Sequence, residues 1–242
     1  MTRPAIAAAA ALLALAGCAA GPAEPRDPRA RTLVVRGEPS TVIAAELAFA
    51  REAREKGTWA AFRQWATADA IWPDPGWKNV QLSLKGVPDP ARAVVWAPDM
   101  VWVSCDGSYA LSTGPATWPD GSKNRFATIW QRQDNGDYRW VLDQGFDLEE
   151  GYAPREMIAG RAAECPPGTR AFREQPRPRA RRGEAWHGGR SDDGTLAWTT
   201  ALAADCRRTH VVSVREDGAT KEVFRRTSSV PPVREGAAAP AC

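Results

Sequence analysis

Histidine is scarce in this sequence: only His187 and His210 occur among 242 residues. A metal site built on histidines needs several of them converging, so we expect neither such a site nor a cofactor. The sequence also lacks phosphate-cradling and dinucleotide-binding glycine loops, Cys-x-x-Cys, His-Glu-x-x-His and Gly-x-Ser-x-Gly. These absences exclude the enzyme classes that depend on those motifs.

Net charge is also small, at a formal +3 for the whole chain. A nucleic-acid-binding domain usually carries a strong basic excess, so we expect no nucleic-acid partner. Beyond the N-terminus, no apolar stretch reaches the roughly 20 residues that a membrane-spanning helix needs. What the sequence does have is an unusual N-terminus, five cysteines and eleven tryptophans.

The N-terminus is a short apolar run that ends in a cysteine. Arg3 comes first, residues 5–15 are uninterruptedly apolar, and two small residues lead into Cys18. This arrangement resembles the lipobox of a bacterial lipoprotein, which implies that residues 1–17 are a signal peptide and that Cys18 is lipidated. The alternative is an ordinary secretory signal beside which Cys18 is incidental.

The lipobox resemblance implies a place for the protein in the cell. It predicts a lipid-anchored protein of the cell envelope, on the periplasmic or extracellular side of a membrane. The residue after Cys18 is Ala19 and not an aspartate, which by the same resemblance favours the outer membrane of a Gram-negative organism. Residues 18–39 are polar and contain prolines, so they are interpreted as a flexible tether, and residues 231–242 as a disordered tail.

Export to an oxidising compartment favours disulfide formation among the four remaining cysteines. Cys165 and Cys206 both lie beside turn-like segments, and we predict that they pair with each other, although other pairings remain open. Cys105 alternates with valines and is interpreted as a small buried residue, whereas Cys242 lies on the terminal tail.

Periodicity predicts two helices followed by a long run of strands. A first helix begins with Ser40 or Thr41 as its cap and stops at Gly57, and Thr58 caps a second. Turn dipeptides of the Asp-Gly and Asn-Gly type then separate alternating segments, which indicates an antiparallel meander. The predicted strands are 93–97, 101–105, 109–118, 125–132 and 138–148. Helices before a twisted antiparallel sheet predict an α+β fold in which the helices cover one concave face.

The C-terminal third divides into a connector and a small sheet. Residues 149–190 are rich in proline and arginine and are interpreted as a solvated connector, with attraction to an anionic lipid surface as the alternative. Residues 195–202, 209–215 and 220–226 predict three strands of a β-meander over 191–230. Because a small isolated sheet is marginally stable, we expect this meander to pack on the main domain.

The segment order and several motifs over residues 40–148 resemble an NTF2-like domain of the DUF4440/SnoaL-like group, which is related to ketosteroid isomerase. This resemblance implies a cone-shaped curved sheet that encloses a pocket, with helices over its mouth and dimerisation through the outer sheet face. The motifs that carry it are Asp69-Ala70-Ile71, Trp96-Ala97-Pro98-Asp99, Val103-Ser104-Cys105-Asp106-Gly107, Ser112-Thr113-Gly114-Pro115, Ile129-Trp130-Gln131-Arg132 and Trp140-Val141-Leu142-Asp143-Gln144-Gly145.

The tryptophans suit an apolar pocket with an occasional polar point. Two predicted strands and the second helix each carry an aromatic face. The predicted pocket residues are Trp59, Phe62, Phe126, Trp130 and Trp140.

A carboxylate in such a pocket would have a raised pKa and could transfer protons, while a tyrosine hydroxyl could stabilise an oxyanion. The candidates are Asp143, Asp69, Tyr109 and Asp99. Each also has a structural interpretation: Asp143 as a salt-bridged strand residue, Asp69 as a helix-end group, Tyr109 as core and Asp99 as a turn former. No tyrosine occurs in either predicted helix, so the oxyanion donor usual in the isomerases has no match there.

These observations favour a non-catalytic lipoprotein that binds a small apolar ligand or a protein partner. The first alternative is a proton-transfer enzyme of the isomerase, dehydratase or cyclase kind that uses a pocket carboxylate. The second is a structural role through a homodimer. Two ionisable groups converging in an apolar pocket would favour the enzyme.

Overall fold

The computed structural model describes residues 36–166 and 186–229. Cys18, Cys242, most of the predicted tether, the arginine-rich part of the connector and the tail lie outside the described residues. Three helices are present among the described residues, and none of them is long and apolar enough to cross a membrane. They are α1 (Pro39–Lys56), α2 (Thr58–Trp65) and α3 (Val80–Ser83).

The N-cap of the first helix lies two or three residues earlier than predicted, and no side chain of the described residues caps it. Glu38 occupies the N-cap position and Pro39 follows in the first turn, where proline's missing N–H and fixed φ suit a helix start. Neither Ser40 nor Thr41 is therefore the cap. Gly57 ends the helix as predicted, and its φ of 110° explains why glycine is needed there.

A distant residue, and not Thr58, caps the second helix. The backbone N–H groups of Trp59 and Ala60 both donate to Oδ1 of Asp89, which lies in the loop after α3. Thr58 is instead buried, and its hydroxyl accepts a hydrogen bond from the backbone of Val94 at 3.2 Å. The turn between the helices is thus fixed from outside by the 85–94 loop.

Eight strands form a large sheet in the order β2-β1-β7-β6-β5-β4-β8, with β3 paired to β5, and four form a second sheet in the order β12-β11-β10-β9. The first sheet contains β1 (Ala66–Asp74), β2 (Gly76–Asn79), β3 (Val95–Trp96), β4 (Met100–Val103), β5 (Tyr109–Thr117), β6 (Lys123–Arg132), β7 (Tyr138–Phe146) and β8 (Ala159–Ala162). The second contains β9 (Trp186–Arg190), β10 (Leu196–Leu202), β11 (Arg208–Glu216) and β12 (Ala219–Thr227). The fold is therefore mixed α+β, with a large curved sheet and few helices.

The predicted meander is confirmed at β4 to β7, and the three C-terminal strands are confirmed at β10 to β12. The sequence interpretation missed the β1–β2 hairpin and α3, because the prolines of 72–90 mask their periodicity. It also missed β8 and β9 inside the predicted connector. Strand β8 lies parallel to β4 and β1 parallel to β7, and such pairings leave no local turn signal.

The central strands of the large sheet are covered on both faces. Along β6, Phe126 and Trp130 pack under the helices, while Ala127 and Ile129 pack against the second sheet. The second sheet contributes the apolar residues Leu196, Trp198, Val212, Val214 and Phe224 to that contact. The C-terminal strands thus pack on the main sheet as expected, and they occupy a face through which the family resemblance implies dimerisation.

The predicted Cys165–Cys206 disulfide is wrong. Cys165 is bonded to Cys105, and Cys206 is also disulfide-bonded. The parallel pairing of β8 with β4 explains this, because Ala162 lies opposite Val103 and the chain then carries Cys165 alongside Cys105. Cys105 is fully buried, as expected, but as half of a cross-link.

Two hairpin turns of the same sequence type join the two sheets. One runs from Ser104 to Ser108 and the other from Ser191 to Thr195, and in each an aspartate accepts from the serine before it and from the hydroxyl residue after the glycine. The two turns also bind each other. The backbone N–H of Asp106 donates to Asp193 at 2.9 Å, and that of Asp193 donates to Asp106 at 2.8 Å.

Candidate ligand-binding site

The helix-covered face of the large sheet is lined by aromatic rings. Phe49 of α1 stands 4.8 Å from Trp96 and 4.9 Å from Phe62, measured between ring centroids, and Phe62 stands 5.8 Å from Trp140. All five predicted pocket residues lie in this core, which we call the aromatic interior. The structure thus brings together Trp59, Phe62, Phe126, Trp130 and Trp140.

A carboxyl group lies inside this apolar core. Glu46 of α1 is fully buried, with one oxygen accepting from Trp96 Nε1 at 2.7 Å. Its other oxygen accepts from the Ser112 hydroxyl and, at 3.1 Å, from Trp130 Nε1. Burial raises the pKa of Glu46, while these three donors oppose that shift by stabilising the anion.

Sequence reasoning missed Glu46, although a signal was present. The buried residues of α1 are Val42, Glu46, Phe49, Ala50 and Ala53, which recur at the three- and four-residue spacing of one helix face. A glutamate on that apolar stripe is a charged residue at a core position. Such residues are almost never fully buried without partners, so its place in the pattern predicts a buried polar site.

Asp143 faces the same interior. A β-bulge shifts the register of β7 between Trp140 and Leu142, so that Trp140 packs under the helices while Leu142 packs against the second sheet. Beyond the bulge, Asp143 pairs with Thr128, whose hydroxyl donates to it at 2.6 Å. Thr128 lies between two residues that face the second sheet, so the Thr128–Asp143 contact belongs to the helix side.

Burial, and secondarily the nearby charge of Glu46, raises the pKa of Asp143 to about 7, against the hydrogen bond from Thr128. Ser112 pairs directly with Thr128 on the neighbouring strand. Glu46, Ser112, Thr128 and Asp143 therefore form one polar row across the aromatic interior, from α1 to β7. A carboxyl group that titrates near neutral pH can both donate and accept a proton.

Two indole N–H groups of the interior are buried and have no hydrogen-bond partner within residues 36–166 and 186–229. They belong to Trp72 of β1 and Trp140 of β7. Trp140 is fully buried. Because a buried donor without an acceptor is costly, this region provides hydrogen bonds that an oxygen atom of a bound molecule could accept.

The aromatic interior reaches the surface at three tryptophans. The Trp59 ring is 5.7 Å from Trp72 and 6.5 Å from Trp118, between centroids, and all three are partly exposed. They come from α2, from β1 and from the turn after β5. This rim places apolar surface where a ligand would pass from solvent to the interior.

The other predicted catalytic residues do not converge with Asp143. Asp69 is exposed and accepts from the Thr67 hydroxyl at 2.8 Å. Asp99 is buried beside Tyr152, whose hydroxyl donates to it at 2.5 Å.

Tyr109 packs on the opposite face, between the two sheets, where its hydroxyl accepts from Gln131 at 2.7 Å. Of the predicted set only Asp143 lies in the aromatic interior, and Glu46 is the second carboxyl there. In the described ranges, no group of three or more His, Cys, Asp or Glu side chains is arranged as metal ligands.

No family model and no curated protein matches this chain. Among solved structures, a Parabacteroides distasonis protein assigned as a ketosteroid isomerase is similar over 48% of this chain and 96% of its own. The identity is 13% and the TM-score 0.37. A TM-score this low does not establish a shared fold, and the functional argument therefore depends on the residues of the site.

Proposed function

We propose that this protein binds a small, largely apolar ligand in the aromatic interior. The ligand would carry an oxygen atom that accepts hydrogen bonds from the protein. The observation that carries the proposal is the pair of buried, unpartnered indole N–H groups of Trp72 and Trp140 beside the polar row that ends at Asp143. An apolar wall with a few polar points is the usual composition of a small-molecule site.

The proposal extends to the domain type and to its place in the cell. An NTF2-like domain over residues 40–148 is supported by the helix pair against the concave side of the curved sheet.

Anchoring through Cys18 in the cell envelope is supported by the lipobox pattern alone. A Cys18→Ser variant should leave the detergent phase for the aqueous phase, since a chain without acyl groups loses about 0.8 kcal/mol of membrane affinity per buried methylene. Partitioning like the parent would contradict the anchor.

Ligand binding can be tested with 2-naphthol, a flat apolar molecule with one hydroxyl group. Calorimetric titration should show binding that weakens roughly 5- to 10-fold in Trp140→Phe, because this change keeps a six-membered aromatic ring but removes the N–H donor with the rest of the indole. Trp186→Phe is the matched control, since Trp186 is 54% exposed on the second sheet. Equal affinity in the parent and in both variants would contradict this site.

A second function is favoured by one observation, the pKa of about 7 at Asp143. We propose as the alternative that Asp143 transfers a proton to or from a carbon next to a carbonyl group. The test is NMR of 2-tetralone in heavy water, where the protein should speed exchange of the α-protons and Asp143→Asn should abolish the acceleration. An acceleration that survives in Asp143→Asn would exclude this mechanism.

Dimerisation stays a prediction. The strands β9 to β12 already cover one face of the large sheet, so a homodimer through a sheet would use the outer face of this second sheet. Analytical ultracentrifugation of the full chain in detergent measures the outcome directly.

A further inference from the structure

We propose that Glu46 determines the charge class of the ligand, by making the aromatic interior exclude anionic apolar molecules such as carboxylates. This inference rests on the proposed ligand site and adds the class of molecule that the site accepts. Nothing in the apolar lining itself distinguishes a naphthol from a naphthoate. The distinction must come from the buried polar groups.

The first step is that Glu46 is held as an acceptor. Both indole groups that reach it can only donate, and the Ser112 hydroxyl accepts from Trp130 Nε1 at 2.8 Å while it donates to Glu46. This pattern is satisfied when Glu46 is a carboxylate. Three donors from β3, β5 and β6 thus stabilise the carboxylate form of Glu46 and oppose the rise in its pKa that burial causes.

The second step is that Asp143 lies on the same row. Ser112 is the direct cross-strand neighbour of Thr128, and Thr128 of Asp143. Neighbouring strands are about 4.8 Å apart, so Ser112, which donates to Glu46, lies only two strand spacings from Asp143. Burial raises the pKa of both groups, and that of Asp143 responds to the charge on Glu46.

The third step is that the described residues supply no compensating cation. No ion pair reaches either Glu46 or Asp143 from residues 36–166 and 186–229. The charged side chains on the surrounding elements are engaged elsewhere. Glu52 binds Lys56 and the Trp65 indole, Arg63 donates to the backbone of Leu84, Arg139 to that of Gln64, and Arg125 pairs with Glu149.

An anionic ligand would therefore enter a low-dielectric space that already holds unpaired negative charge. At an effective dielectric constant of about 20, repulsion between unit charges several ångströms apart corresponds to roughly a 10- to 100-fold loss of affinity. A neutral ligand of the same shape avoids this loss and still accepts hydrogen bonds from Trp72 and Trp140. Glu46 thereby acts as a specificity-determining residue.

The test compares 2-naphthol with 2-naphthoate by calorimetric titration of the full chain at pH 8. The parent should prefer the neutral probe, and Glu46→Gln, which keeps the side-chain shape, should reduce that preference about tenfold. Asp143→Asn is the second variant, in case Glu46→Gln does not fold, and should also reduce the preference. Asp134→Asn removes a charge from the exposed β6–β7 turn and serves as the matched control.

Each outcome of this titration either supports the inference or contradicts it. Selectivity that falls in both interior variants and not in Asp134→Asn supports the inference. If 2-naphthol binds the parent but its preference over 2-naphthoate is the same in the folded interior variants, Glu46 does not set specificity and the inference is wrong, while the ligand site stands. If neither probe binds the folded parent, the proposed function itself fails, and this inference with it.

Discussion

The two faces of the large sheet bury opposite kinds of titratable group. Under the helices lie two acids, Glu46 and Asp143, and burial raises the pKa of each. Between the two sheets lies a base, His210, whose pKa burial lowers to about 4. Burial therefore disfavours the charged form on both faces, as a low dielectric requires, but on the helix side three hydrogen-bond donors oppose this effect at Glu46. The two faces differ in the specific links that hold the covering elements on the sheet.

The sheet-covered face is closed by specific links. The reciprocal turns at Asp106 and Asp193 join the two sheets, and beside them Cys105, whose backbone N–H donates to Thr195, is cross-linked to Cys165. The helix-covered face has no link of this kind among the described residues, and its rim tryptophans are partly exposed. The comparison indicates that specific links attach the second sheet, whereas apolar packing and the hydrogen bonds of Glu46 hold the helices on the other face.

The largest expected effect comes from removing the Cys105–Cys165 disulfide. Replacing both cysteines, in Cys105→Ala/Cys165→Ala, should lower the free energy of unfolding by about 4 kcal/mol, because the bond closes a loop of 60 residues. Urea unfolding of the double variant against the parent measures the change. A loss below 1 kcal/mol would mean that the pairing of β8 with β4 holds this part of the large sheet without the bond.

The next effect is a loss of stability in acid that depends on His210. The pKa of His210 is about 4 in the folded chain and about 6.5 when unfolded, so the unfolded state binds the proton more tightly. Stability should fall by about 3 kcal/mol as pH drops from 6.5 to 4, and stay constant above that window. Urea unfolding of His210→Leu across this range should lack that component. An identical pH slope in both proteins would contradict the buried, neutral histidine.

Asp143 should produce the opposite dependence on the helix-covered face. Its pKa is about 7 in the folded chain and 3.8 in the unfolded chain, so the folded state binds the proton more tightly and stability falls as pH rises from 3.8 through 7. Asp143→Asn removes this loss, since an amide oxygen can still accept from Thr128. At pH 8 the variant should be more stable by about 2 kcal/mol, after allowance for solvent screening.

Thermal unfolding at pH 4 and pH 8 measures the difference between Asp143→Asn and the parent. At pH 4 the two proteins should unfold at similar temperatures. A variant less stable than the parent at pH 8 would show that Asp143 is a structural residue and would weaken its place in the site.

The smallest effect tests one half of the reciprocal turn contact. Asp193→Asn keeps one acceptor oxygen for Ser191 and Thr195 but places an NH2 group where Oδ2 accepts from the Asp106 backbone, so that charge-assisted hydrogen bond is lost. We expect a loss of about 1 to 2 kcal/mol in urea unfolding. Asp205→Asn, in the exposed β10–β11 turn, is the control and should change stability by less than about 0.5 kcal/mol.

Local patterns predicted much of this fold. The Asp-Gly and Asn-Gly turns, with their positive-φ glycines, located the hairpins of β4 to β7, and alternation located the aromatic strand faces. What local patterns could not supply was long-range pairing. The parallel partners β1 and β8 come from distant segments, and the true partner of Cys165 follows from one of those pairings.

The aromatic lining of the site could be predicted from the sequence, whereas the carboxyl groups that it holds could be predicted only in part. Five aromatic residues were identified because they recur on strand and helix faces. Asp143 was a candidate, but its direction depended on a bulge at Val141 that alternation alone cannot reveal. Tyr109 was a candidate with a core position as its structural interpretation, and it lies in the core between the sheets; alternation could not assign its face, since both faces of β5 are buried. Glu46 was visible as a charge on an apolar helix stripe.

The reciprocal turns have the geometry of a symmetric dimer interface. Asp106 donates to Asp193 and Asp193 to Asp106, and the same exchange recurs one position away, where Cys105 donates to the Thr195 hydroxyl and Asp192 to the Ser108 hydroxyl. In an oligomer, paired contacts of this kind define a two-fold axis that relates identical subunits. Here the axis is local and relates only the two turns, so one polypeptide supplies both halves of a small self-complementary contact.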